Sequence, residues 1–122
     1  MSIQPDERFD DFPVWRSFSG PGWALEDCEA AARAHPKTFK RPAASHAPKL
    51  AVGDLVRLHF LLADPGMTSQ PENPRAERMW VEVCAIESCT FLGHLTNEPR
   101  FIDALSPGDV IEFEWKHVAQ LE

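Results

Sequence analysis

The pattern L-x-x-G-D followed by an alternating apolar stretch occurs twice, as LAVGDLVRLHFLLA from Leu50 and as LSPGDVIEFEWKHV from Leu105. Few patterns restrict a chain more. Gly53 and Gly108 supply a tight turn, Asp54 and Asp109 can hydrogen-bond nearby backbone amides, and a strand then leaves the turn. We read this as one turn chemistry used twice rather than as a duplication. In the first strand Val56, Leu58, Phe60 and Leu62 share one face and Leu55, Arg57, His59 and Leu61 the other. In the last, Ile111, Phe113 and Trp115 oppose Val110, Glu112, Glu114 and Lys116. This period of two makes one face core and the other wet.

A third strand lies in RMWVEVCAIESCTFLGHLTNEP, Arg78 to Pro99, where Met79, Val81, Val83 and Ala85 alternate with Trp80, Glu82, Cys84 and Ile86. Its second face is also largely apolar, which places it centrally in a sheet. TFLGHLTN is its hairpin partner after a turn near Glu87 to Cys89, with Gly93 at a bulge or close approach. WALEDCEAAARAH offers Ala-rich helix formers with acids near its start and Pro36 after it, so a helix is expected over residues 23–34 with Cys28 facing the core. The first 22 residues mix aromatics with Pro and Gly and read as an arm that packs Phe12, Trp15 or Phe18 onto a domain of residues 23–122. PKTFKRPAASHAPK reads as a basic extended loop, and residues 63–77 as a long loop rich in Pro, Gly and Asn. The expected fold is α+β: a strongly curved, barrel-like antiparallel sheet of about four to five strands with one N-terminal helix.

The 122 residues suit one domain able to bury a core without metal or disulfide help. The net charge of −7 argues against nucleic acid, whose binders need a basic face. Charge is segregated, at −4 over residues 1–35, +3 over 36–75 and −6 over 76–122. The acidic C-terminal part can steer a basic partner. The polar, acidic start MSIQPDERFDDFPVW carries no signal-peptide pattern, and no long apolar run predicts a membrane span, so a soluble cytoplasmic protein is expected. Cys28, Cys84 and Cys89 are odd in number and lack CxxC spacing, so they read as reduced thiols.

Candidate chemistry is sparse. His94 near Cys84 and Cys89 suggests a metal site or a Cys-His nucleophile, but zinc needs a fourth ligand and an apolar strand raises a thiol pKa. Those residues read instead as two buried thiols and a hairpin histidine. His35, His46, His59, His94 and His117 show no metal-ligand spacing, and no serine sits on a nucleophile elbow. Lys37, Lys40, Arg41 and Lys49 can bind an anion, though charge balance within an acidic protein explains them more simply. No catalytic residue, metal ligand or cofactor is assigned. The strand-borne acids Glu82, Glu112 and Glu114, with Asp109, read as partner-facing charges complementary to a basic protein.

ERMWVEV, FLGHLTNEP and LSPGDVIEFEWKHV together resemble the bacterial family of domains of unknown function numbered 2314, the YegJ-like family. That family is similar in its Met-Trp-Val strand, Phe-x-Gly-x-Leu hairpin, Asn-x-Pro turn and Gly-Asp turn before a closing strand. The resemblance covers about residues 50–118 and carries over no catalytic residue. The family tends to close with an isoleucine followed shortly by an Asp-Trp pair, where this chain reads KHVAQLE. The resemblance implies a small bacterial cytoplasmic α+β domain, from a family similar to others whose members serve as immunity proteins in toxin systems.

The resulting expectation is a non-catalytic binding protein, an immunity protein that occludes the active site of a cognate toxin with a basic surface. Two alternatives stand beside it. One is a small enzyme or metabolite-binding domain with a pocket between helix, loop 63–77 and sheet, using His59 or His94 as acid-base. The other is a structural or regulatory module that self-associates through a sheet edge.

Overall fold

The structure, a computed structural model, describes residues 6–9, 12–16, 18–62 and 75–122, with the backbone alone given for 6–9. In chain order the strands are β1 (Asp6–Phe9), β2 (Phe12–Trp15), β3 (Ser19–Gly20), β4 (Trp23–Leu25), β5 (Leu55–Leu62), β6 (Ala76–Ile86), β7 (Phe91–Leu95), β8 (Val110–Phe113) and β9 (Val118–Leu121). One helix, α1 (Cys28–Ala34), follows β4, and 3₁₀ turns cover Ala44–Lys49 and Trp115–His117.

The two Gly-Asp turns form as their residues demand. Gly53 and Gly108 take φ of 98° and 94°, a region that costs glycine little and other L residues more. β5 leaves the first turn and pairs along its whole length with β6, from Leu55 opposite Glu82 to Leu61 opposite Ala76. β6 turns back into β7, and β8 leaves the second turn beside β7. The chain then bends through the Trp115–His117 turn, and β9 pairs with β5 from Val56 to Leu58. The path β5, β6, β7, β8, β9 thereby returns to β5 and makes the sheet barrel-like. Val56, Leu58, Phe60, Met79, Val81, Ile111, Phe113 and Val118 fill its interior, which bears out the inner faces read for β5, β6 and β8, whereas the outer faces are not wholly wet because His59 and Val110 are buried there.

Three features correct the sequence reading. The sheet has nine strands among the described residues rather than four or five, because the arm supplies short strands and the closing strand is cut in two. β2 lies parallel to β8, with Val14 opposite Val110, so the sheet is not wholly antiparallel. The helix starts at Cys28 and not at Trp23. Trp23, Ala24 and Leu25 instead pair with Leu62, Leu61 and Phe60, covering the half of the β5 edge that β9 leaves open. Pairing and burial of Trp23 and Leu25 outweigh local helix propensity there. Asp27 caps the shortened helix by accepting from the Ala30 amide at 2.9 Å, a standard N-cap bond.

The hairpin of β3 and β4 spans the expected boundary between residues 22 and 23, and Trp15 and Trp23 meet edge to face with centroids 6.0 Å apart. The basic stretch after α1 holds the Ala44–Lys49 turn. Of loop 63–77, residues 63–74 lie outside the described residues. Among the described residues, no helix is long and apolar enough to cross a membrane.

Candidate functional site

The sequence-derived acids do not form one patch. Glu82 is exposed on the outer face of β6, opposite His94 on β7. Glu112 is opposite Leu92 and is engaged by Arg16 at 3.4 Å, with its side chain only 14% exposed. Burial raises its carboxyl above the usual range, and the guanidinium of Arg16 opposes that. Glu114 closes a reciprocal cap. Its side chain accepts from the His117 backbone amide, while its own amide donates to His117 Nδ1 at 2.9 Å. Asp109 corrects the expectation of a partner-facing charge, because the residue is 3% exposed. Its Oδ2 accepts from the Ser106 amide at 3.0 Å and from Trp15 Nε1 at 3.4 Å. Burial raises its pKa despite both bonds.

The thiols and histidines also separate. Cys84 is the extra residue where the β6–β7 register shifts between Val83 and Ala85. It packs beside the small outer cluster of Val14, Leu92 and Val110, and burial raises its pKa. Cys89 is exposed rather than buried, because it lies in the hairpin turn. His94 Nδ1 meets the Gly108 carbonyl at 3.0 Å. Gly93 makes the close approach expected of it, since a Cβ there would lie 2.9 Å from Val81 Cγ2.

A different trio converges. Donor atoms of Glu26, Cys28 and His59 lie within 4.8 Å of one another. These are zinc-compatible oxygen, sulfur and nitrogen donors, but three fall one short of a closed structural site. Each already has an internal partner. Glu26 Oε1 lies 2.9 Å from His59 Nδ1, and the Cys28 thiol donates to the His117 carbonyl at 3.4 Å. Burial, then the charge of Glu26, pushes the Cys28 thiol up to about 12, so it is not a thiolate nucleophile at neutral pH. No local spacing announces this trio, since strand pairing alone brings His59 to the start of α1.

At one end of the barrel a groove of about 680 Å³ opens among the hairpin turn, the Ala44–Lys49 turn and the β8–β9 corner. Leu50, Ile86, Phe91 and Trp115 supply apolar lining, and three acids, Glu29, Glu87 and Glu114, face one base, Lys116. Ile86 is 50% exposed there. Arg41 holds the corner. It donates to the carbonyls of Trp115 and Val118 and lies over the Trp115 ring at 5.4 Å. Arg16 binds the groove acid Glu87 at 3.0 Å and so ties the arm to the hairpin. Sequence reasoning reached Glu114 and missed Glu29, Ile86 and Glu87, which come together only through the β6–β7 turn and α1.

Fold and surface together define a small barrel-like domain with few helical residues and an acid-lined groove. A family profile described as uncharacterized protein conserved in bacteria, domain of unknown function 2314, matches residues 24–120. The chain belongs to that family. No curated protein and no solved structure matches it.

Proposed function

We propose that the chain is a non-catalytic binding protein whose groove receives a basic segment of a protein partner. The observation that carries this reading is the combination of exposed Ile86 with Glu29, Glu87 and Glu114 around one open groove. An apolar anchor inside a mainly acidic rim, three glutamates to one lysine, is an arrangement that selects a partner by both burial and steering. The excess of acid over residues 76–122 extends the same field, and Glu82 contributes a further exposed charge. The biological setting that fits is neutralisation of a cognate bacterial toxin, with the chain as immunity protein covering a basic active-site cleft.

The test uses the product of a toxin-like reading frame adjacent to this gene, with affinity measured for the native chain and for Ile86→Arg and Glu29→Lys. Both side chains are exposed, so the fold is retained. Each variant weakens binding at least about tenfold, as expected for loss of a central contact or reversal of a rim charge. Unchanged affinity in both variants, or no adjacent partner that binds the native chain, overturns the reading.

A further inference from the structure

On the opposite wall of β5 the polarity reverses. Arg57 and His59 share the outer face of that strand. Cross-strand pairing sets Arg78 opposite His59, with Gln120 of β9 and Trp80 of β6 flanking Arg57. The segment Thr38–Lys40 closes over them, with Phe39 edge-on to His59 at 5.7 Å between centroids. Thr38–Lys40, Arg57, His59, Arg78 and Gln120 line a cavity of about 190 Å³ that contains three cations and no carboxylate.

Three unneutralised cations in one cavity are out of place on a chain of net charge −7. Elsewhere Arg16, Arg33 and Arg41 each meet a glutamate. Among the described residues Lys40, Arg57 and Arg78 have no acid within ion-pair distance, and Lys40 donates only to the Pro36 carbonyl. The guanidinium of Arg57 lies over Trp80 at 5.0 Å, and its Nε is buried without an acceptor. Stacking of this kind fixes the guanidinium plane without using its N–H donors. Glu26 stands behind His59, bound to Nδ1, and orients the ring without entering the cavity.

We propose that this cavity binds a phosphate group, either the free dianion or the end of a small phosphomonoester. Its volume is below the roughly 300 Å³ at which pockets for drug-sized ligands begin, so an anionic head group fits and a large metabolite does not. Two forked guanidiniums and an ammonium match a tetrahedral dianion better than a carboxylate, because each can donate a charge-assisted bond to a separate oxygen. Of the four loop bases in the sequence, Lys40 alone contributes. This site is independent of the acid-lined groove, so either can fail without the other.

The experiment is a titration of the native chain with inorganic phosphate and with glycerol phosphate, at ionic strength held constant with chloride, read by calorimetry and by the thermal midpoint. Phosphate binds and raises the midpoint where chloride does not, by the linkage of ligand to the folded state. Arg78→Gln and Lys40→Gln each weaken binding at least about tenfold, the ratio expected of one lost charge-assisted bond, while their midpoints without phosphate stay unchanged. Lys37→Gln, outside the cavity, leaves affinity as it was. Tighter binding of glycerol phosphate assigns the site to a monoester, and the reverse assigns it to the free anion. A native chain that responds equally to chloride and phosphate, or variants that bind as the native chain does, overturns the proposal.

Discussion

The two L-x-x-G-D segments build one backbone device in two surroundings. In the first, the Gly53 amide donates to the Val83 carbonyl and the Val83 amide to the Asp54 carbonyl, both at 2.8 Å. In the second, Gly108, Leu95 and Asp109 repeat those bonds at the same distance. Leu50 and Leu105 are both buried and donate to Ala47 and Ile102, each at 3.3 Å. The surroundings then diverge. A Cβ on Gly53 would meet nothing within 4 Å, whereas one on Gly108 would lie 2.4 Å from the ring of Phe12. Asp54 is exposed, while Asp109 lies under the arm against Trp15. β5 continues for eight residues, but the second strand breaks after Phe113 into the capped turn that carries His117. Local chemistry sets the turn, and what covers it decides how much each residue matters.

The largest expected effect belongs to His117, which has no counterpart in the first segment. The residue is 4% exposed, and burial, then Lys116, lowers its pKa from 6.5 to about 4. Its neutral Nδ1 accepts from the Glu114 amide. Between those two pKa values the unfolded chain binds the proton and the folded chain does not. Stability is therefore full above 6.5 and is lost as pH falls toward about 4, by up to roughly 3 kcal/mol. Urea unfolding from pH 7 to 4.5 measures it. His117→Asn, which retains an acceptor and does not titrate there, flattens the acid slope, and an identical slope in that variant refutes the assignment.

Next come the two glycines. Gly53→Ala forces a side chain onto a positive φ and costs about 1–2 kcal/mol. Gly108→Ala has the same backbone strain and must also displace Phe12, adding roughly 1 kcal/mol or more. Chemical denaturation of both variants checks the difference. In the background of Phe12→Ala the two costs converge, and a gap that persists there separates the arm from the effect.

Much of this was legible in the sequence and some was not, for physical reasons. Period-two alternation found β5, β6 and β8 with their inner faces, because each turns alternate apolar side chains into the interior. Gly93 was legible as a close approach, and the Gly-Asp turns as turns. The arm strands were not, because Phe12–Trp15 and Trp23–Leu25 are too short for a period and owe their structure to edges elsewhere in the chain. Helix propensity misread Trp23 for the same reason. At the sites, Glu114 was found by alternation, yet its cap with His117 arises from a bend that the pattern does not encode. Asp109 looked exposed as a turn residue and is covered by an arm nearly a hundred positions away. The cavity of Lys40, Arg57 and Arg78 required three separate segments, so net charge by segment gave only its faint outline.

The smallest effects separate the two aspartates and sharpen the contrast most directly. Asp54→Ala removes one exposed bond to the Ala51 amide and costs about 0.5–1 kcal/mol. Asp109→Ala strands the Ser106 amide and the Trp15 indole N–H, which costs about 1–2 kcal/mol, limited because a buried charge is removed as well. Asp109 also carries a pH dependence. Burial raises the Asp109 pKa above 3.8, so the folded chain holds that proton more tightly than the unfolded chain. The stability this confers is present at low pH, is lost as pH rises through the raised value, and is constant above it. Asp109→Asn, which retains the acceptor and cannot ionise, removes this decline. A decline that persists in Asp109→Asn would mean that the arm does not desolvate the second turn, and the difference between the repeats would reduce to strand length.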